Sequence, residues 1–240
     1  MSPTRSSARL VGGALLLAAV ATACGDDAES MSTAACDRYA ELQAGFFGDP
    51  SALGAAATAF GEAAPDSLEE DVGVVVAAFN SDDPSAMSTP EFAAANERVG
   101  AAVFDDCDSV VALDVSGIDY AFDGLPSSIS SGRVAVRLAN DTASGQPHEL
   151  VILTGADGQA ADELRDLPME QLMQQARPVG LVFVEQPGAA ATTLVDLEPG
   201  SYLVICTLPV AENGEQPDGD APPTDTHAHH GMVTTLTVEA

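Results

Sequence analysis

The sequence predicts an α + β protein of two domains, a helical bundle followed by a β-sandwich. Three observations carry that prediction. Residues 33–110 are alanine-rich, with apolar positions recurring at helical spacing. From about residue 111 the texture changes to β-branched alternation punctuated by Gly, Pro, Asn and Asp. Two cysteines, Cys36 and Cys107, bracket the helical part.

In chain order, the first 23 residues have the layout of a secretory signal, with Arg5 and Arg9 ahead of an apolar stretch over 10–20. That stretch is short for a membrane span. Ala21-Thr22-Ala23 then meets Cys24, which reads as an Ala-x-Ala cleavage pattern or as a bacterial lipobox with Ala21 in the place usual for leucine. Residues 24–32 are polar and suit a tether between a lipidated Cys24 and a folded domain. Two or three acyl chains, at about 0.8 kcal/mol per buried methylene, anchor stably. The expected location is the outer face of the cell membrane. A cleaved secreted form and an uncleaved anchor are the other readings.

Four helices are expected at roughly 34–46, 51–62, 66–80 and 90–106. Tyr39, Leu42 and Phe46 keep one helical face, as do Val72, Val75, Val76 and Phe79. Asp49-Pro50, Ala64-Pro65 and Thr89-Pro90 are start signals, with proline where its missing N–H costs little. An up-down bundle over 33–110 brings the start of the first helix beside the end of the fourth. Cys36 and Cys107 stand at those ends and can pair in an oxidising compartment. A disulfide there would close the bundle and add about 3–4 kcal/mol to a small core. No histidine lies in this half.

Strands are expected at 111–116, 118–123, 133–139, 149–154, 180–185, 192–197, 201–206 and 233–238, a sandwich of about seven to eight strands over 111–240. A helical insert over 161–175 carries Leu164, Leu167, Leu172 and Met173 on one face. Residues 210–226 read as an inserted loop, too rich in Pro, Gly, Asp and Glu to bury a core.

The chain has 37 Asp and Glu against eight cationic side chains, all arginine, for a formal charge of −29. Loss of the signal, with Arg5 and Arg9, moves it to −31. Nucleic acid is excluded as a partner, because phosphate binding needs cations. An anionic membrane surface would repel the domains, leaving the lipid as the only membrane contact. The acidity suits solubility in export, or steering of a basic partner or of metal cations. The redox or recognition partner is not identified by any motif.

Four side chains carry the chemistry: His148, Cys206, His227 and Met232. His148 follows Pro147 and opens a strand, Cys206 ends another, and His227-Ala228-His229-His230-Gly231-Met232 precedes the last. One thiolate, two imidazoles and a weak thioether are the ligands of a trigonal copper site with a long axial methionine. The odd cysteine left in an exported chain also calls for an explanation. A Cys24–Cys206 bridge would be another, and would remove the metal reading.

These residues resemble the ligand set of the cupredoxins, the small blue copper proteins. The resemblance covers roughly 112–240. It includes residues 118–123, the strand 133–138 ending at Asn140, Pro199-Gly200-Ser201-Tyr202, and the spacing of His227, Gly231 and Met232. It implies a Greek-key sandwich holding type 1 copper for one-electron transfer, without catalysis. His148, Cys206 and His227 would be equatorial ligands and Met232 axial, with His230 the alternative second imidazole. One departure stands out: 20 residues lie between Cys206 and His227, where the family usually leaves a few. A cupredoxin-like module for metal sequestration or recognition, without type 1 copper, is the alternative function. A thiol-dependent enzyme is disfavoured, because a strongly negative surround raises a thiol pKa. No phosphate loop, Gly-x-Ser-x-Gly or His-Glu-x-x-His occurs.

Overall fold

The computed structural model describes residues 29–155, 161–165, 167, 169–210 and 225–240. The expected signal, Cys24 and most of the 210–226 loop lie outside the described residues, as does the side chain of Met173. Among the described residues no helix is long and apolar enough to cross a membrane.

Four helices form close to the expected places: α1 (Thr33–Gly45), α2 (Leu53–Ala63), α3 (Glu69–Phe79) and α4 (Pro90–Asp106). Ser32 caps α1 by accepting from the Ala35 amide, and Thr89 caps α4 by accepting from that of Phe92, with Pro90 in the first turn. Ala35, Tyr39 and Leu42 bury one face of α1; Ala95, Val99 and Val103 bury one face of α4. Cys36 and Cys107 form the expected disulfide.

The helices do not close on themselves as an independent four-helix bundle. α1 packs on α2, α2 on α3 and α3 on α4, while α1 and α4 both lie against a strand of the sandwich. Ala135 and Leu194 of that sheet belong to the helical core. The physical reason is size: an alanine-rich array has too little apolar surface to bury within itself, and the sheet supplies the missing wall. The Tyr39 hydroxyl seals the contact by donating to the Thr192 carbonyl at 2.6 Å. Gly100 permits it, because a β-carbon there would stand 3.2 Å from Thr192.

Among the described residues the sandwich has nine strands: β1 (Val111–Ile118), β2 (Ala121–Asp123), β3 (Ser128–Ser130), β4 (Gly132–Asn140), β5 (His148–Thr154), β6 (Arg177–Val184), β7 (Ala190–Leu197), β8 (Gly200–Ile205) and β9 (Val233–Glu239). One sheet has the order β2-β1-β4-β7 and the other β3-β9-β8-β5-β6. β1 runs parallel to β4 and β3 parallel to β9; the remaining pairs are antiparallel. Side chains alternate across each sheet. Val134, Val136 and Leu138 of β4 meet Leu150 and Ile152 of β5 and Tyr202 and Val204 of β8 between the sheets. Outward-facing Val151, Leu153, Leu203 and Ile205 are covered by the expected helical insert, which is two short helices, α5 (Ala161–Arg165) and α6 (Met169–Gln175). The break falls before Pro168 in the sequence, since the residue preceding proline is disfavoured in the helical region.

Candidate metal centre

Strand alternation aims two of the four expected residues inward. His148 opens β5 on the face of Leu150 and Ile152, and Cys206 follows β8 on the face of Tyr202 and Val204. β5 and β8 are antiparallel, so the start of one lies at the end of the other. β9 returns antiparallel to β8, which brings the turn preceding it to the same end of the sandwich. That turn, a 3-10 segment over His227–His230, supplies His227. Left-handed Gly231 (φ 116°) reverses the chain into Met232.

His148, Cys206, His227 and Met232 are all fully buried. The ligating atoms of the first three lie within 4.8 Å of one another. Cys206 Sγ is 3.4 Å from His227 Nδ1, and the two imidazoles meet edge to face at 5.1 Å. Metal–ligand bonds of about 2.0–2.3 Å need only a small contraction to place this set on one ion. Both ring nitrogens of His148 are buried with no hydrogen-bond partner. A buried polar atom left so costs roughly 1–3 kcal/mol, and a metal ion would relieve one of the two. The donor set fits a soft, imidazole-tolerant ion such as copper.

Main-chain bonds weld the ligand segments. The Cys206 amide donates to the Met232 carbonyl (3.0 Å), Ala228 to Cys206 (3.0 Å), Met232 to His227 (3.0 Å) and His227 to Leu208 (2.9 Å). The 20-residue separation does not part the ligands, because the connection is pinched at its base. The Val210 amide donates to the Asp225 carbonyl at 3.2 Å, and Pro209 pairs with Thr226.

A second ring of residues holds the first. Glu149, half-buried and next to His148 in β5, accepts from the Thr207 amide at 2.9 Å and from the Thr207 hydroxyl, tying β5 to the residue after Cys206. Gln146 meets the His227 ring at Nε2 (3.0 Å) and donates to the Tyr120 hydroxyl (3.1 Å). Tyr120 covers His227 edge-on at 5.2 Å and lies against His230 at 4.6 Å. Sequence reasoning did not single out Glu149, Gln146 or Tyr120: Gln146 and Glu149 flank His148 in the chain, and Tyr120 lies in the 118–123 stretch of the resemblance without a role of its own.

The electrostatics favour metal over nucleophilic chemistry. Burial, with His148 and His230 adding to it, pulls the His227 pKa down to about 4, and burial lowers that of His148. Both rings are therefore neutral, with lone pairs for a metal, at neutral pH. Burial pushes the Cys206 thiol up to about 12. A nucleophilic cysteine needs the reverse, together with access. Cys206 is a free thiol, as a ligand must be. The geometry selects His227 over His230, which is exposed and bonds Asp225 at 2.9 Å.

No protein-family model matches the sequence, and no curated protein does. Solved structures similar to the C-terminal half include the reduced auracyanin of the photosynthetic bacterium Roseiflexus castenholzii, at 17% identity and TM-score 0.38 over 55% of this chain and 98% of that one. Auracyanin A, a "blue" copper protein of Chloroflexus aurantiacus, is 19% identical over 53% of this chain and 98% of that one, TM-score 0.31. The rusticyanin of Thiobacillus ferrooxidans is 14% identical over 55% and 80%, TM-score 0.33. The two sheets form a β-sandwich whose buried His148, Cys206 and His227 could hold a metal ion.

Proposed function

We propose that the chain is an exported copper protein that carries single electrons at the outer face of the membrane, tethered there through a lipid on Cys24. The observation that carries the copper reading is the sealed three-donor cluster, with the His148 ring nitrogens left without a protein partner. His148, Cys206 and His227 would hold the ion, with the thioether of buried Met232 as a weaker fourth donor. Bound copper supplies one-electron exchange between Cu(I) and Cu(II).

The residues contribute rigidity and exclusion of water. The bonds among Cys206, His227, Ala228 and Met232 fix the donor positions, so little need move when the charge changes. Full burial of all four side chains keeps solvent and substrates away, which suits a carrier rather than a catalyst. The strong negative charge suits a redox partner with a basic surface.

The test is the visible spectrum of the chain from residue 25 onward, titrated with Cu(II) while Cys206 is kept reduced. An intense thiolate-to-copper band, lost in Cys206→Ser, is expected. Weak d–d absorption alone, unchanged by that substitution, would leave a sequestration or recognition module in its place. The anchor is tested separately: Cys24→Ser should end incorporation of labelled fatty acid and release the protein from membranes.

A further inference from the structure

His227 reaches the cluster from a turn rather than a strand, so something must fix the ring about its χ angles. The geometry points to Gln146, and this inference rests on the copper reading above: Gln146 is a positioning residue that sets the His227 tautomer and aims Nδ1 at the metal. Gln146 Oε1 lies 3.0 Å from His227 Nε2. An amide oxygen can only accept, so Nε2 carries the proton and Nδ1 keeps its lone pair. Nδ1 is the nitrogen 3.4 Å from Cys206 Sγ. The sulfur side agrees, because an S–H donates to a nitrogen lone pair more readily than sulfur accepts from an N–H. At the opposite end of the amide, Nε2 donates to the Tyr120 hydroxyl at 3.1 Å.

Gln146 is itself held. Asn140, fully buried at the end of β4, donates from Nδ2 to the Gln146 carbonyl at 2.9 Å and accepts from the Thr142 amide at 3.2 Å. Thr142 donates in turn to Asp119 at 3.1 Å. The connection between β4 and β5 is thus a built support that ends two residues before the ligand His148. Outer partners of this kind orient an imidazole and raise its basicity as a ligand.

Ring-nitrogen NMR of the metal-free protein tests the assignment. His227 should show Nε2 protonated and Nδ1 free in the wild type and in Gln146→Glu, which keeps the acceptor. Gln146→Leu should show mixed tautomers and bind Cu(I), measured by chelator competition, about 10–100-fold more weakly. A wild-type ring protonated at Nδ1 overturns the inference. So does a Gln146→Leu protein with unaltered tautomer and affinity. If Gln146→Leu does not fold, the wild-type and Gln146→Glu spectra decide. Absence of the thiolate-to-copper band would count against the copper reading, whereas the metal-free spectra judge Gln146 by themselves.

Discussion

The ring of His148 lies on the bare α-carbon of Gly117: a β-carbon there would stand 2.9 Å from ring atoms Cγ and Cδ2. β1 thus contributes an absence of side chain to the centre, and the imidazole fills it. Gly117→Ala should displace the ring and destabilise the metal-free protein by about 1–3 kcal/mol, the usual cost of overpacking. Urea unfolding measures the loss, and a copper titration should show weaker binding. An alanine variant with wild-type stability and affinity would mean that the ring has room to move.

Acid should weaken the metal-free protein through its buried histidines. The folded His227 pKa lies at about 4, below its ordinary value near 6.5. Between those values the unfolded chain binds a proton that the folded one refuses. The contribution is therefore level above the ordinary value, and stability falls as pH drops toward 4, by up to about 3 kcal/mol. His148, shifted the same way, adds to the fall, while Glu149, raised by burial, opposes it. Comparing wild type with His227→Gln by urea midpoints across pH 7.5 to 4.5 isolates one ring. Parallel curves would refute the assignment.

Glu149 clamps Thr207 through both its amide and its hydroxyl. Glu149→Ala removes the acceptor of a half-buried amide and should cost about 1 kcal/mol. The variant should also broaden the thiolate-to-copper band, because Thr207 follows Cys206 directly. Thermal unfolding with and without copper separates the two effects.

Tyr39→Phe removes the hydrogen bond from α1 to the β7 carbonyl of Thr192 and nothing of the ring's packing. A loss of about 1–2 kcal/mol is expected, with the copper spectrum unchanged. A single cooperative transition should persist, because the helices and the sheet share one core through Ala135 and Leu194. Two separated transitions would contradict that shared core.

Reduction of Cys36–Cys107, which spans 71 residues, should cost about 4 kcal/mol by loop entropy. Dithiothreitol-treated protein, compared with oxidised protein in urea, gives the value directly. Equal midpoints would show that the helices hold their ends together without the bridge.

Much of this was legible in the sequence where a period or a cap carried it. α4 stands at its Thr89-Pro90 signal, α2 and α3 follow Pro50 and Pro65 through short 3-10 turns, and eight of the nine described strands overlap the β-branched runs. β3 escaped because three residues, Ser128–Ser130, are too few to show alternation. The sharing of the helical core with the sheet escaped for a different reason. Ala135 and Leu194 read as ordinary strand positions, and only the crowding at Gly100 reveals a helix laid on them. At the candidate centre, residue type and strand order singled out His148, Cys206, His227 and Met232, and the structure brings the donor atoms of the first three together. Glu149, Gln146 and Tyr120 act through distances that a sequence does not contain.

The pinch at Val210 and Asp225 separates two quantities that are tied together in a short ligand loop, the length of chain between the donors and the position of the donors. Length becomes a free variable on the far side of that pinch. The number of residues that join Val210 to Asp225 then enters through a closure entropy that grows only slowly with length. The donor positions are set on the near side of the pinch, by the strands and the bonds among Cys206, His227 and Met232, and not by the span that joins them.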